Sequence, residues 1–373
     1  FGSMSALLKV VIAFLAIFVG VIKHSPHFVF KLPNGFIIHA ISGGQMPPYF
    51  DDTPYQPRSN EWLKPNDVIV STAAKSGTTW MLYCSHQIRV KGDDETYPFK
   101  DVMYSTPWPD LVQVPGQTWE ERLELMTSGS TIMPDGTVYK NYWDHADYDF
   151  RVFKSHNTPE QFGDLIAKDS NVKFLAMARN GLDQVASAVP FFDKHEASFR
   201  KMWGGFPPAD GGAGDKRAEV ASERLRQMLP GNMFGAWHFD YINSWWKVKD
   251  QKNVLLLHFS DAKKDLKGTI SKIADFYGVR LNAKEKNKIM EKCSFDYMKK
   301  NGDLFLYSLP LNPDFDGKIM TKGSMTRKGA VGEGGALFSD EEKQLWEKAE
   351  QDQFGDDQEK LNWARNGGGF TSN

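Results

Sequence analysis

The chain of 373 residues has few of the features that stabilise secreted proteins or hold metal ions. It contains two cysteines, Cys84 and Cys293, and they do not show the close spacing of metal ligands. It has no Asn-x-Ser/Thr acceptor site for glycosylation. These absences favour a reduced, cytoplasmic setting over a disulfide-built one. We also predict a site without a metal ion.

A strong net charge is missing as well. The chain has 45 Lys and Arg against 47 Asp and Glu, which gives a net charge of −2 at pH 7. Because no long-range positive field would attract nucleic acid, we expect no nucleic-acid partner. Any anion site must therefore be built from local groups. The hydrophobic content of 41%, with 13% aromatic residues, is enough for a large core.

The N-terminus carries one apolar run that is short for a membrane span. Residues 1–3 resemble a cloning remnant, and residues 6–22 are apolar apart from Lys9 and Gly20. The uncharged part after Lys9 is 13 residues long, whereas a spanning helix needs about 20. For residues 1–23, a membrane anchor, a signal peptide and a packed helix all stay open. We favour an uncleaved segment that associates with a membrane, because no small-x-small cleavage site follows.

Beyond this segment, strand-like apolar runs alternate with helical patterns. The runs are 68–72, 172–178 and 254–259, and the helical patterns are about 78–89, from 182 onwards, and 266–277. Continuous apolar strands followed by helices are typical of a parallel sheet covered on both faces. We predict a single α/β domain over residues 24–365, with a central parallel β-sheet flanked by helices. Residues 366–373 are predicted to be a disordered tail.

One internal segment does not fit this alternation. Residues 203–216 are rich in Gly and Pro and are predicted to form an irregular, mobile loop or lid.

The most informative segment joins the first apolar run to its helix. The run ends in a turn of small residues, and the turn and helix start read Lys75-Ser76-Gly77-Thr78-Thr79-Trp80. Backbone N–H groups at such a turn converge on one point, and the helix dipole adds positive charge there. This predicts an anion cradle with Lys75 as its point charge. It is not the nucleoside-triphosphate loop, in which the lysine follows the second glycine, so a nucleotide kinase is disfavoured.

The order Lys-Ser-Gly-Thr-Thr-Trp resembles the 5′-phosphosulfate loop of the cytosolic-type sulfotransferases. These enzymes transfer a sulfuryl group from 3′-phosphoadenosine 5′-phosphosulfate (PAPS) to a hydroxyl or amine and release 3′-phosphoadenosine 5′-phosphate (PAP). The resemblance implies a P-loop-like strand-loop-helix. It also implies that Lys75, Ser76, Gly77, Thr78 and Thr79 bind the donor, with Lys75 taking part in catalysis.

Three further segments resemble the same family, in the same order along the chain. Residues 153–156 resemble its Lys-Thr-His segment, which implies that His156 removes the acceptor proton and that Lys154 contacts the transferring sulfuryl oxygens. Arg179 and Ser187 match the spacing of its Arg-Asn-x-x-Asp-x-x-x-Ser signature. Residues 327–329 match its Arg-Lys-Gly loop. The resemblance assigns Arg179, Ser187, Arg327, Lys328 and Gly329 to the 3′-phosphate.

Aromatic residues complete the resemblance. Trp80 and Phe295 would sandwich the adenine, with Phe259 at a position that is commonly tyrosine in the family. Residues 333–340 lack the dimerisation motif of the family, so we predict a monomer or an atypical dimer.

The acceptor is less defined. Ten aromatic residues precede the candidate base, and they could line an apolar pocket or belong to the core: Tyr97, Phe99, Tyr104, Trp108, Trp119, Tyr139, Tyr142, Trp143, Tyr148 and Phe150. Asp144, Asp147 and Asp149 could instead favour a cationic acceptor. We expect a small-molecule alcohol, phenol or sterol-like acceptor. A membrane-anchored carbohydrate or lipid sulfotransferase and a catalytically silent PAP/PAPS-binding protein stay open as alternatives.

Overall fold

A four-stranded parallel β-sheet forms the centre of the protein. The computed structural model describes residues 26–44, 46–55, 58–128, 130–132, 138–140, 142–166, 170–312 and 317–369. The strand order is β4-β1-β5-β6, and the strands of the sheet are β1 Val68–Thr72, β4 Val152–Ser155, β5 Lys173–Ala178 and β6 Val254–His258. A separate two-stranded antiparallel ribbon pairs β2 Ser130–Ile132 with β3 Val138–Lys140.

Helices surround this sheet. They are α1 Pro26–Lys31, α2 Gly35–Ile41, α3 Thr78–Arg89, α4 Val102–Ser105, α5 Trp119–Thr127, α6 Pro159–Phe162, α7 Gly181–Ala188, α8 Ala197–Met202, α9 Arg217–Gln227, α10 Phe239–Lys247, α11 Phe259–Lys264, α12 Leu266–Tyr277, α13 Ala283–Lys292, α14 Phe295–Lys300, α15 Glu333–Leu337, α16 Asp340–Phe354 and α17 Gln358–Asn366. Short 3₁₀ turns lie at Arg58–Glu61, Gly163–Ile166, Phe192–Lys194, Gly235–Trp237 and Gly302–Phe305.

The core lies on both faces of the sheet. Successive side chains of a strand point to opposite faces. In β1, Val68 and Val70 pack into one buried apolar cluster, while Ile69 packs into the other. This arrangement confirms the predicted α/β fold with helices on both faces of a parallel sheet.

The three predicted strands are all present, and a fourth was missed. β4 pairs in parallel with β1, with Lys154 opposite Val70. The sequence analysis assigned no strand to this segment, which has only four residues and includes a lysine. The buried strand nevertheless places His156 just past its carboxyl end. Phe259 lies one residue past β6 and begins α11, whereas the sequence analysis placed it at the end of the strand.

Residues 203–216 are irregular, as predicted, but they are tied to the body of the protein. Trp203 and Phe206 are buried. The Asp193 carboxylate accepts hydrogen bonds from the backbone N–H groups of residues 210, 211 and 213. Through these contacts the segment is packed against the rest of the domain.

The two chain ends lie partly outside the described residues. The apolar run at residues 6–22 and residues 370–373 are among those not described. Asn366 ends α17, and the N–H of Gly368 donates to Asp261, so the chain stays attached beyond the predicted start of the tail. Among the helices of the described residues, none is long and apolar enough to cross a membrane.

Candidate active site

The turn between β1 and α3 brings a lysine to the carboxyl edge of the sheet. Lys75 and Gly77 both have positive φ, 66° and 102°, and this conformation turns the chain sharply from strand to helix. A Cβ atom at Gly77 would lie 3.1 Å from the Phe259 ring, so glycine also suits the close packing there. The Lys75 ammonium lies 3.9 Å from the centroid of the Phe191 ring.

A histidine with a fixed tautomer stands next to this turn. His156 Nδ1 lies 2.8 Å from the carbonyl oxygen of Thr72. Since a carbonyl can only accept, Nδ1 carries the proton and Nε2 carries the lone pair. Lys154 Nζ lies 2.9 Å from that Nε2. The geometry thus presents a basic nitrogen, just past the end of β4, beside the amine of a lysine on that strand.

The pKa values of all three candidate catalytic groups are lowered. Burial, with the nearby Lys154 and Lys75 charges, holds the pKa of His156 well below its ordinary value. Burial lowers the pKa of Lys154 strongly, although Asp110 opposes that shift. Burial and then the Arg327 and Arg179 charges lower the pKa of Lys75 to about 7. His156 is therefore a neutral base at physiological pH.

A second group of cations is built by the end of β5 and the loop before α15. Arg179 donates to the carbonyl oxygen of Ala330 at 2.7 Å. Arg327 makes a two-point contact with Glu333, at 2.9 and 2.6 Å, and Lys328 Nζ lies 3.1 Å from the same carboxylate. Burial raises the pKa of Glu333, but Arg327 and Lys328 outweigh it and hold that pKa low, at about 2.

A residue of α7 holds the loop before α15 in place. Asp183 accepts hydrogen bonds from the backbone N–H groups of Gly332 and Gly334, both at 2.8 Å. Its carboxylate is also 3.7 Å from Arg179. One buried aspartate thus couples the loop to the arginine.

Aromatic rings line the same region. Trp80 donates its ring N–H to the carbonyl oxygen of Cys293 at 2.7 Å and meets Phe259 edge to face. Arg179 lies over the Phe259 ring, 4.6 Å from its centroid. At Gly329, where φ is 57°, a Cβ atom would lie 2.5 Å from the Phe295 ring. Phe295 therefore lies directly against the backbone of the loop that carries Arg327 and Lys328, which we call the basic loop.

One cavity of about 540 Å³ brings these groups together. Its size is typical of ligand sites. Every predicted site residue except Ser76 lines it: Lys75, Gly77, Thr78, Thr79, Trp80, Lys154, His156, Arg179, Ser187, Phe259, Phe295, Arg327, Lys328 and Gly329. Ser76 is buried and does not line the cavity.

Two buried donors, one in the turn after β1 and one just past the end of β5, have no hydrogen-bond partner among the described residues. They are Ser76 Oγ and Arg179 Nε. An orphaned donor costs free energy unless a ligand or water satisfies it. Arg179 Nε lies on a cavity-lining side chain, so an anion in the cavity would satisfy it. The arrangement fits a ligand with phosphate groups.

The other half of the cavity is apolar and was only partly foreseen. Of the ten aromatic residues considered between 97 and 150, only Trp108 lines the cavity in the part of the chain that the structure describes. Most of the others are core residues, and the side chain of Tyr139 is not described. The apolar wall comes instead from separate segments: Met46, Tyr49, Phe50, Leu111, Phe191, Phe199, Phe206, Ile319 and Met320.

The acidic residues considered for a cationic acceptor do not reach the cavity. Asp144 pairs with Lys64 and Arg151, and Asp147 accepts from Tyr97. Glu333 and His195 also line the cavity and were not predicted; His195 is buried, and burial lowers its pKa to about 4. No sequence motif marked either residue. The aromatic residues that begin at Phe191 could have indicated that His195 lies in a buried environment.

Comparison with known proteins matches most of this chain to one protein family. A family model described as "Sulfotransferase domain" matches residues 65–356. Sulfotransferase 1B1 of Canis lupus familiaris is 28% identical over 278 residues, covering 72% of this chain and 77% of the relative. Sulfotransferase 2A1 of Rattus norvegicus is 26% identical over 293 residues, covering 78% and 86%.

Solved structures share the fold. Retinol dehydratase in complex with androsterone and PAP superposes with a TM-score of 0.55 at 20% identity, covering 80% of this chain and 83% of that one. Mouse sulfotransferase SULT7A1 complexed with PAP gives 0.53 at 20% identity, covering 78% and 84%.

Proposed function

Because the chain belongs to the sulfotransferase domain family, and is thus a PAPS-dependent sulfotransferase, we propose that it sulfates a hydroxyl of a small apolar molecule. In this proposal His156 is the general base, and Lys75 and Lys154 stabilise the transferring group. The observation that carries it is the tautomer of His156, which leaves a lone pair on Nε2 of a side chain that lines the same cavity as Lys75. An amine acceptor would use the same groups.

His156 supplies the proton step. Its Nδ1–H is held by Thr72, so Nε2 is free of a proton and can take one from the acceptor hydroxyl as that oxygen bonds to sulfur. Lys154 Nζ is now 2.9 Å from Nε2. When an acceptor hydroxyl enters, we expect Lys154 to turn from the histidine towards the sulfuryl oxygens.

Lys75 acts at the other end of the transfer. It lies at the turn where backbone N–H groups converge, so its ammonium can stabilise the charge that develops on the departing phosphate oxygen. No covalent intermediate with the protein is needed. As in phosphoryl transfer, positioning and charge stabilisation supply most of the catalysis.

The donor would be anchored by the second cation group. We propose that Arg179, Ser187, Arg327 and Lys328 bind the 3′-phosphate, and that Trp80, Phe259 and Phe295 surround the adenine. The unpartnered Arg179 Nε supports this assignment. A guanidinium also matches the paired oxygens of a phosphate better than an ammonium does.

The acceptor is proposed from the apolar wall of the cavity. Tyr49, Phe199 and Phe206 are buried there, and Trp108 lies beside His156 with ring centroids 5.1 Å apart. Structural neighbours are complexed with androsterone and with retinol. A phenol, a sterol-like molecule or a similar apolar alcohol would fit such a surface. We propose a cytoplasmic monomer or atypical dimer as the working form.

The test is to replace the base and to follow turnover and PAP binding separately. His156→Ala should lower the rate of sulfate transfer from labelled PAPS by about 10²–10⁴-fold, since a positioned general base usually contributes that much to the rate. Androsterone, retinol and 2-naphthol serve as acceptors. Calorimetry should find PAP affinity within about twofold of wild type.

His145→Ala is the matched control, because this histidine is exposed and lies outside the cavity. It should leave both readouts unchanged. Normal turnover by His156→Ala would disprove the assignment of the base. PAP binding by the wild-type protein without transfer to any acceptor would favour the silent binding protein, and transfer only to a glycan or glycolipid would favour the carbohydrate or lipid enzyme.

A further inference from the structure

Exposed apolar side chains are concentrated at one end of the described chain. The described residues contain six large apolar side chains that are strongly exposed, and three of them lie on α1 and α2. They are Phe28, Ile37 and Ile41, with 49%, 42% and 82% of their surface exposed. Ile37 and Ile41 are four residues apart and therefore share one face of α2. We call these three residues the N-terminal patch.

The sequence around the N-terminal patch is free of acidic residues. The whole chain has 47 Asp and Glu, yet none of them precedes Asp51. The charged residues before that point are Lys9, Lys23 and Lys31, and Lys31 is exposed at the end of α1. An apolar surface flanked by cations is typical of a segment that lies on an anionic membrane.

The N-terminal patch is carried by helices that pack against the acceptor side of the cavity. The Phe36 ring lies 5.8 Å from Phe206, and its backbone N–H donates to the carbonyl oxygen of Gly204. Phe30 meets Trp203 edge to face at 5.2 Å, and Trp203 in turn meets Tyr49. Phe206 and Tyr49 both line the cavity. One layer of side chains therefore connects α1 and α2 with the acceptor wall.

We propose that the N-terminal patch docks on the surface of a lipid bilayer that contains anionic headgroups. The apolar run at residues 6–22 precedes α1 by three residues, so the two apolar parts of the chain would reach the same bilayer. A second copy of the chain fits less well, because this cationic segment has no acidic residues with which to pair with itself. Docking does not depend on the proposed reaction; only the entry of an apolar acceptor from the bilayer into the cavity rests on it.

The test measures partition of the full chain onto vesicles. Wild-type protein should float with vesicles of phosphatidylcholine and phosphatidylserine, and less with phosphatidylcholine alone. Ile37→Asp/Ile41→Asp should lower the partition at least about tenfold, since two apolar side chains no longer insert and two negative charges oppose the headgroups. Ile37→Ser/Ile41→Ser, which adds no charge, should give a smaller loss in the same direction.

Leu345→Asp is the matched control, because Leu345 is also exposed, at 43%, but lies on α16. It should bind vesicles as wild type does. Stabilisation by PAP, measured on each variant, reports that the fold and the nucleotide site are intact, and loss of PAP binding by the wild type would count against the proposed function alone. Equal partition of wild type and both double variants, or no vesicle binding by wild type, would overturn the docking proposal. So would a wild-type dimer that the double variants convert to a monomer without any change in vesicle binding.

Discussion

At the scale of single residues, Lys75 has a charge that depends on pH near neutrality. Burial and two neighbouring arginines lower its pKa to about 7 in the free protein. Its ammonium is thus partly deprotonated at physiological pH before any anion binds. An anion beside it favours the charged form and raises that pKa again, so binding and protonation are linked.

This linkage predicts a pH dependence of donor binding. Above pH 7.5 the phosphates of PAP are fully ionised, since the second pKa of a phosphate group is about 6. Lys75 must then take up a proton when PAP binds, so the affinity for PAP should fall as pH rises, by at most about tenfold per unit between pH 7.5 and 9. Isothermal titration calorimetry in buffers of different ionisation enthalpy measures both the affinity and the proton uptake.

Lys75→Met should bind PAP more weakly at pH 7 and lose most of this pH dependence. Lys322→Met is the control, because Lys322 is an exposed lysine paired with Asp303, and it should behave as wild type. An affinity that stays constant from pH 7.5 to 9 in the wild type would show that Lys75 is not the titrating group at the donor site.

At the scale of elements, the basic loop before α15 depends on a glycine that no other residue replaces easily. Gly329 has a φ of 57°, and an added Cβ would lie 2.5 Å from the Phe295 ring. Substitution there combines backbone strain with displacement of an aromatic wall of the cavity. Gly231, an exposed glycine outside the cavity, also has a φ of 76°, but no atom lies within 4 Å of an added Cβ there.

This pair of glycines separates the two effects. Gly231→Ala should lower the free energy of unfolding by about 1–2 kcal/mol, the cost of a left-handed alanine, with PAP affinity unchanged. Gly329→Ala should show a similar or larger loss of stability and should also weaken PAP binding roughly tenfold, because Phe295 must move. Urea denaturation and calorimetry give the two quantities. Equal PAP affinities for the two variants would mean that Phe295 is not part of the nucleotide site.

The elements that the sequence predicted are those with an uninterrupted apolar pattern. β1, β5 and β6 were identified because each is a largely apolar run. A parallel sheet covered on both faces buries such runs, and the structure shows these strands buried. β4 has the same buried pattern but only four residues, one of them Lys154. Its lysine is accommodated by the His156 ring and by Trp108, whose centroid is 2.7 Å from Nζ, contacts that no local pattern reveals.

At the scale of the whole molecule, the two halves of the cavity were not equally predictable. The anion-binding half follows in part from the strand ends of one parallel sheet, because Lys75 after β1 and Arg179 after β5 must lie at the same edge. His156 follows β4, which the sequence did not reveal, so its place was implied only by the family resemblance. The apolar half is assembled from segments far apart in the chain, such as Tyr49, Phe206 and Met320, and their meeting depends on tertiary packing alone. Aromatic residues near the base in sequence, such as Trp143, were instead needed in the core.

A site assembled from distant parts of the chain exists only in the folded protein, so its ligand should stabilise the whole fold. A ligand that binds only the folded state stabilises it by about 2.7 kcal/mol at 100 times its dissociation constant. PAP should therefore raise the melting temperature by a few degrees in a thermal-shift titration. Adenosine 5′-monophosphate lacks the 3′-phosphate that we assign to Arg179, so at equal concentration it should give a clearly smaller shift. ATP should also give less than PAP, because no Gly-Lys-Ser/Thr loop is present for its γ-phosphate. A larger shift with ATP would reject the assignment of the 3′-phosphate site, whereas the predicted order would leave the acceptor as the remaining unknown of the reaction.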